Sequence, residues 1–286
     1  MGSGTSRVLV CYDGSVPAAA AIEVAATLLP DAFAVVTVAW TPPYASDPVR
    51  HRLRRDTDSI DDFVAAIERE GAAEAHRLAA MGVTVAAAHG WKAEPLVERA
   101  FGGEGLHLVQ AAERVGADLI VTGARGLGGA RAVFGSVSDV IVHYASCPVL
   151  VVPHPLLQPE RSALPDGPVV VGWDGSVGSD AALEVAGKLF PHHHVVPVLV
   201  DDGDAPSGRT PERLTRLPRT GFVAEHGRAI AAALSGQARA ERAALLTVGS
   251  LGRSALLEIV LGSVTMAVLH HAGRPVLVVP HRGTGR

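Results

Sequence analysis

The chain has 286 residues, a mass of 29.5 kDa and a formal net charge of −4, a length that accommodates two domains of ordinary size. Hydrophobic residues make up 48% of it and charged residues 19%, which excludes a disordered protein. The acidic balance argues against a general nucleic-acid binder. Because two cysteines cannot build a disulfide framework and no uncharged apolar run approaches the ~18–20 residues that span a bilayer, we expect a cytoplasmic protein that binds neither nucleic acid nor membrane.

The first half of the chain is predicted to alternate strands with helices. The predicted strands are 8–12, 34–40, 83–88, 118–122 and 148–152, and the predicted helices are 17–29, 59–81, 94–115 and 136–145. Several strands are continuous apolar runs, which is typical of strands buried on both faces of a parallel sheet. With right-handed crossovers, this order predicts a doubly wound α/β fold whose five-stranded parallel sheet has the strand order 3-2-1-4-5.

The second half of the chain repeats the first. VLVCYDGS at 8–15 returns as VVVGWDGS at 169–176, and PVLVVPH follows both Cys147 and Arg274. Three shorter matches lie between them in the same order, which are 21–25 with 182–186, His89-Gly90 with His226-Gly227, and 134–137 with 261–264. We therefore predict two homologous domains.

The predicted domains are residues 1–154 and 166–286, joined by a polar, proline-rich linker near 154–167. The second copy is too short and too broken by proline at 201–221 to contain most of helix 2. Its sheet is therefore expected to leave part of one face exposed, unless that segment or a second chain covers it.

Two glycine-containing loops in each copy form the candidate binding site. The first follows strand 1, at 13–15 and 174–176, and the second follows strand 4 and leads to a Gly-Ser pair that opens a helix, at 135–136 and 262–263. Strands 1 and 4 are neighbours where the strand order reverses, so both loops converge on one crevice. Glycine permits positive φ and close backbone approach, and a helix N-terminus attracts anions, so we predict a phosphate site that needs no Walker A lysine.

Each of these features also has a plainer interpretation, which the sequence leaves open. The glycines fit tight strand–helix turns, and Asp13 and Asp174 fit Asp-Gly turns. Arg125 fits a phosphate contact and a solvated loop position equally well. The three histidines at 192–194 lack a partner pattern for zinc, so no metal site is predicted.

The motifs together resemble the universal stress protein family, in a tandem two-domain form that covers essentially the whole chain. Nucleotide-binding members of that family carry Asp after strand 1 and Gly-x2-Gly-x9-Gly-Ser/Thr after strand 4. The second copy has this spacing, and the first copy is one residue short. The matching residues are Gly249, Gly252, Gly262 and Ser263 in the second copy and Gly123, Gly126, Gly135 and Ser136 in the first.

The resemblance implies a set of residues that bind ATP or AMP, with or without Mg²⁺. Asp13 and Asp174 would contact the adenine, and Val38 and Val198 would line it. The glycines that end strand 4 would approach the ribose. The positions that would hold the phosphates are Gly126, Gly135, Ser136, Gly252, Gly262 and Ser263. Arg125, Val137 and Val264 complete the predicted binding residues.

The function predicted from the resemblance is regulatory adenine-nucleotide binding in a stress response. No nucleophile–base set recurs around Ser136 and Ser263, so we do not predict an enzyme. Two alternatives stay open, which are a ligand-free interaction scaffold of the same family and a slow ATP hydrolase.

The last strand of each copy lies at the sheet edge in the predicted order. An exposed apolar edge invites pairing. The two copies are therefore expected to pair through these strands as an internal pseudo-dimer, and a dimer of whole chains is a further expectation.

Overall fold

The computed structural model describes residues 5–41, 54, 59–125, 136–201, 203, 206, 210–219, 226–250 and 261–280. The strands are β1 (Arg7–Cys11), β2 (Phe33–Trp40), β3 (Lys92–Arg99), β4 (Leu119–Arg125), β5 (Val149–His154), β6 (Val169–Gly172), β7 (Val195–Asp201), β8 (Thr215–Pro218), β9 (Leu245–Gly249) and β10 (Val276–Val279). The helices are α1 (Val16–Leu28), α2 (Ile60–Ala88), α3 (Glu104–Val115), α4 (Ser136–Tyr144), α5 (Gln158–Ala163), α6 (Val177–Leu189), α7 (His226–Ala240) and α8 (Ser263–His271).

The strands form one ten-stranded sheet in the order β3-β2-β1-β4-β5-β10-β9-β6-β7-β8. Each half has the predicted order 3-2-1-4-5, and the strand pairs within each half are parallel. The two halves meet at β5 and β10, which pair antiparallel with Leu150 opposite Leu277. The predicted fold class and the predicted pairing of the last strands are therefore both confirmed, whereas the domain bounds 1–154 and 166–286 stay a prediction.

Two helical layers cover the sheet. Alternate residues of β1 point to opposite sides, so that Val8 belongs to a buried cluster with residues of α1, α2 and α6, whereas Leu9 belongs to one with residues of α3, α4, α7 and α8. We call these sides the α1 face and the α4 face. Helices of both repeats share each face, so the two halves bury one continuous core on each side of the sheet.

The helix α2 is longer than predicted, because it continues through 83–88, where a strand was predicted. Its buried stripe consists mainly of small residues, and a Cβ on Gly82 would lie 2.6 Å from Val36 and 2.9 Å from the ring of Tyr12. Small residues let the helix lie close to β1 and β2. The close packing explains why Val83 and Val85, which favour strands in isolation, are helical here.

The third strand and the helix after it were also predicted wrongly. The segment 92–99 is the edge strand β3, and only 104–115 of the predicted helix 94–115 is helical. β3 carries charged residues along a partly exposed edge, which conceals the apolar signal of a strand. Its start is fixed by Trp91, whose indole N–H donates to the carbonyl of Leu29 at 2.7 Å.

One of the repeat matches pairs positions that are not equivalent. His89 caps the end of α2, whereas His226 begins α7. The counterpart of Gly227 is Gly105, because each glycine lies in the first turn of its helix and packs against the start of the following helix. A Cβ on Gly105 would lie 3.0 Å from the carbonyl of Val137, and one on Gly227 would lie 2.9 Å from that of Ser263.

The second repeat has no helix between β7 and β8 among the residues described there. The face expected to be exposed is nevertheless covered at β7, where Leu199 is 2% exposed. Trp173, which is 1% exposed, occupies the position of the smaller Tyr12 and donates its indole N–H to Asp180 of α6 at 2.7 Å. The second repeat therefore buries a bulkier aromatic side chain at this position.

Candidate functional site

The turn after the first strand of each repeat has the same geometry. Oδ1 of Asp13 accepts from the backbone N–H of Ser15 at 3.0 Å, and Oδ1 of Asp174 accepts from that of Ser176 at 3.0 Å. The glycine between the aspartate and the serine has a positive φ in both turns, +78° at Gly14 and +81° at Gly175. These are Asx turns of the kind that Asp-Gly sequences favour, so one oxygen of each aspartate has a structural role.

The turn is followed directly by a capped helix. The hydroxyl of Ser15 accepts from the N–H of Ala18 at 3.3 Å, and that of Ser176 accepts from the N–H of Ser179 at 3.2 Å. Serine is a preferred N-cap because its oxygen satisfies a free N–H in the first turn. Burial, together with the nearby charge of Asp13, raises the pKa of Tyr12, the residue before this turn, above its ordinary value.

The two glycines predicted to approach the ribose lie at the end of the fourth strand of each repeat. A Cβ on Gly123 would lie 2.5 Å from the carbonyl oxygen of Pro17, and one on Gly249 would lie 2.8 Å from that of Gly178. The first turn of α1 or α6 thus rests on the glycine backbone. The strand 1 turn and the end of strand 4 are therefore adjacent in both repeats, as the predicted crevice requires.

A pair of hydroxyl residues, which the sequence analysis missed, fixes the same glycines from the other face. Oγ of Ser138 donates to the carbonyl of Gly123 at 3.3 Å, and Oγ1 of Thr265 donates to that of Gly249 at 2.7 Å. Both residues lie in the first turn of the helix after the glycine loop. Their signal in the sequence is a hydroxyl residue two positions after each Gly-Ser pair. The first turns of two helices, one on each face, therefore meet at a single glycine.

The start of α8 is an uncapped helix terminus. Its N-cap is Gly262, and among the residues that the structure describes no side chain makes a capping hydrogen bond there. The N–H of Gly262 donates to the carbonyl of Ser250 at 2.9 Å, so this hydrogen bond joins the residue after β9 to the N-cap of α8. The φ of Gly262 is −60°, so this glycine is not required for a positive φ. Free N–H groups and the helix dipole favour an anion at this end.

The two valines assigned to the adenine are not equivalent positions. Val38 packs on the α1 face, whereas Val198 packs on the α4 face. The register explains the difference. At equivalent positions of the two repeats, the N–H of Tyr12 donates to the carbonyl of Thr37, whereas the N–H of Trp173 donates to the carbonyl of Val198. Thr37 is therefore the counterpart of Val198, and a shift by one residue along a strand reverses the face.

The remaining assigned positions are only partly described. Val137 and Val264 are half-buried and pack against the core on the α4 face. Arg125 ends β4 and Ser136 begins α4. The other three glycines, Gly126, Gly135 and Gly252, lie outside the described residues.

The described part of the chain contains no group of three or more His, Cys, Asp or Glu side chains arranged to bind a metal. His193, which is buried, hydrogen-bonds through Nδ1 to the carbonyl of Gly167 at 2.7 Å and thus has a structural partner. Of the helices described, none is both long and apolar enough to cross a membrane.

The fold and the two Asp-Gly turns define a tandem, doubly wound α/β protein in which the turn after strand 1 lies next to strand 4 in each half. The sequence profile of the universal stress protein family matches residues 4–153 and 218–280, which is more than half of the chain. The chain belongs to the universal stress protein family.

Relatives with curated names include mycobacterial proteins. The chain is 31% identical over 192 residues to a universal stress protein of Mycobacterium tuberculosis (strain ATCC 25618 / H37Rv), which covers 57% of this chain and 61% of that protein. It is 35% identical over 187 residues to one of Mycolicibacterium smegmatis, covering 58% and 63%. These alignments thus span about three-fifths of the length of the relatives.

Solved structures with the same fold cover nearly the whole chain. A universal stress protein from Archaeoglobus fulgidus DSM 4304 has a TM-score of 0.66 at 19% identity, covering 96% of this chain and 98% of that one. A putative universal stress protein from Pseudomonas aeruginosa UCBPP-PA14 has a TM-score of 0.55 at 12% identity, covering 97% and 94%. At these identities the similarity shows the fold alone.

Proposed function

We propose that this chain binds an adenine nucleotide, ATP or AMP, and acts as a regulatory protein of the stress response rather than as an enzyme. The observation that carries the proposal is the convergence at Gly249, where the capped first turn of α6 and the uncapped first turn of α8 meet. A phosphate at the start of α8 would satisfy N–H groups that no side chain caps within the described part of the chain.

The strand 1 turn would supply the other end of the binding site. Asp174 holds the turn that leads into α6, whose Gly178 contacts Gly249, and a base seated at this turn would lie near an aspartate. Mg²⁺ would bind through the phosphates of ATP, because the described residues supply no metal-binding group of three. Hydrolysis would be slow at most, since the sequence places no recurring base beside Ser136 and Ser263.

A ligand-free scaffold is the second candidate, and specific contacts favour it. Asp13 and Asp174 are held in Asx turns, and Gly123 and Gly249 are explained by helix packing. These roles account for much of the motif without any ligand. A dimer of whole chains and a cytoplasmic location stay predictions under either candidate.

Release of bound nucleotide tests the proposal. We would denature the purified chain with acid and separate the supernatant by anion-exchange chromatography to detect any released nucleotide. In a second experiment, refolded or nucleotide-stripped protein would be dialysed against labelled ATP and AMP to measure binding. The proposal predicts adenine nucleotide in the supernatant or saturable binding in dialysis. Absence of both, up to about 1 mM nucleotide, would favour the scaffold.

A further inference from the structure

A groove of about 1010 Å³ lies along α6 on the α1 face. One wall is a single face of α6, at Val177, Ala181, Val185 and Lys188. The other wall is formed by the loops that precede β2, β4 and β5, and the end of β10 closes one side. None of the residues assigned to the nucleotide lines it, so the groove is a separate surface.

The corresponding groove of the other repeat is filled by the linker between the repeats. The linker buries three apolar side chains, which are Leu156 (6% exposed), Ala163 (6%) and Leu164 (4%). The short helix α5 lies between Leu156 and Leu164 and ends at Ala163. The linker packs near the loops that precede β7, β9 and β10. The carbonyl of Gly167 in the linker hydrogen-bonds to His193, and Gly167 also packs against the backbone of Ala244. Oε1 of Glu160 in the linker lies 3.9 Å from Nη2 of Arg274.

The contact between linker and helix is a salt bridge. Nη1 of Arg161 lies 2.7 Å from Oε1 of Glu23 on α1. The repeated segments AIEVA and ALEVA place Glu184 of α6 at the position of Glu23. The open groove therefore keeps the acidic residue that holds the linker in the filled groove.

Two features distinguish the open groove chemically. Cys147 stands where the filled groove has Arg274, so the open groove has no arginine at the position that Glu160 approaches in the filled one. Asp31 and Asp118 lie on the rim, in addition to Glu184 beside it. Both features favour an occupant with a basic residue beside Glu184 and without an acidic residue opposite Cys147.

The residues of this chain that follow β10 are a poor match for the groove. In sequence, His281 and Gly283 correspond to His154 and Leu156 of the first repeat, and HRGTGR at 281–286 carries no apolar side chain. The segment 281–286 therefore supplies no counterpart of the buried Leu156.

We propose that the open groove binds a short amphipathic peptide segment of a partner protein, with two or three apolar side chains and an arginine or lysine that pairs with Glu184. The linker bound in the related groove is the template for this interaction. Its occupant would dock alongside the central strands and would leave both nucleotide crevices accessible.

A peptide made from the linker is a direct probe. The probe is a synthetic, fluorescein-labelled peptide with the sequence of residues 155–166 and the substitution Glu160→Gln. We would titrate it with the full chain and follow binding by fluorescence anisotropy. Saturable binding is expected, and binding of the unchanged sequence is expected to be weaker, because Cys147 offers no partner to Glu160. No saturable binding up to about 1 mM chain would overturn the proposal.

Charge exchange locates the contact without disturbing the core. Glu184 is exposed, so Glu184→Arg should leave the fold intact and weaken binding about tenfold. A peptide with Arg161→Glu should restore binding to this variant. Gly187→Ala is the control, since Gly187 is exposed and has no atom within 4 Å of a built Cβ, and it should bind as the parent does.

Two results would contradict the assignment. Equal affinity of the parent and Glu184→Arg, with no rescue, would show that the peptide binds elsewhere. Tighter peptide binding after deletion of 281–286 would show that the chain's own segment is the occupant.

Discussion

Glycines in this protein have different roles, which only their surroundings distinguish. Gly249 and Gly123 lie against helix backbone, so that no side chain fits, whereas Gly187 in α6 faces open space. The sequence motif draws attention to the first two because of their spacing. Their packing is a sufficient reason for glycine, whether or not a ribose also approaches them.

Alanine substitution should separate these roles. In Gly249→Ala the new Cβ would lie 2.8 Å from the carbonyl oxygen of Gly178, so we expect a loss of about 1–3 kcal/mol in the free energy of unfolding. Gly187→Ala should instead stabilise the protein by about 0.5–1 kcal/mol, since alanine restricts the unfolded chain. Urea denaturation measures both, and equal effects would contradict the packing argument.

The thiol of Cys11 provides a test in alkaline solution. Burial, and then the nearby Cys147 and Asp13, raise its pKa above the ordinary value of about 8.5. The contribution of this thiol to the free energy of unfolding is fully present below pH about 8.5, where the thiol is protonated in both the folded and the unfolded chain. It falls by up to about 1.4 kcal/mol per pH unit as the pH rises from there towards the folded-state pKa. Urea denaturation between about pH 7.5 and 9.5 should show this slope, and Cys11→Ser should lack it. A parallel slope in both proteins would contradict the assignment.

At the scale of secondary-structure elements, the sequence predicts strands that are continuous apolar runs. It misses elements whose conformation depends on the elements packed beside them. β1, β2, β4 and β5 were predicted within three residues at either end, because buried parallel strands are apolar runs. β3 was missed because its exposed edge carries charges.

The same limit applies to the candidate site. Asp13, Asp174 and the strand 4 glycines were found because they repeat, whereas Ser138 and Thr265 were missed, although their hydrogen bonds join the helices to the glycines. Periodicity alone also could not fix which face Val38 occupies, since that depends on strand register.

The uncapped start of α8 predicts a gain in stability from an added negative charge. Ser263→Asp places a carboxylate in the first turn, where it should stabilise the helix by about 0.3–1 kcal/mol. Ser263→Asn is the neutral control of similar size and should show little change. Thermal unfolding at low salt measures the difference, and destabilisation by Ser263→Asp would show that this terminus is not electropositive.

At the scale of the whole molecule, the central antiparallel pair joins two repeats into one sheet. Leu150 and Leu277 lie opposite each other and are 0% exposed. The α1 face of both repeats is continuous across them, so the repeats should unfold together.

A charge at the centre tests this coupling. Leu277→Lys buries an unpaired ammonium group and should lower the free energy of unfolding by about 3–5 kcal/mol. Val177→Lys is the control, because Val177 is 70% exposed and substitution there should change stability by less than about 0.5 kcal/mol. Equilibrium denaturation gives both values. An unchanged stability in Leu277→Lys would show that the last strands do not form the interface.

Nucleotide binding at the start of α8 is the central functional claim, and calorimetric titration with ATP tests it most directly. Nucleotide-free parent protein and Ser263→Asn should both release heat with saturable binding. In Ser263→Asp the carboxylate should repel the phosphates, so binding at the second repeat should be lost while the melting temperature is maintained or raised. Binding that is absent from the parent, or identical in all three proteins, would contradict the account.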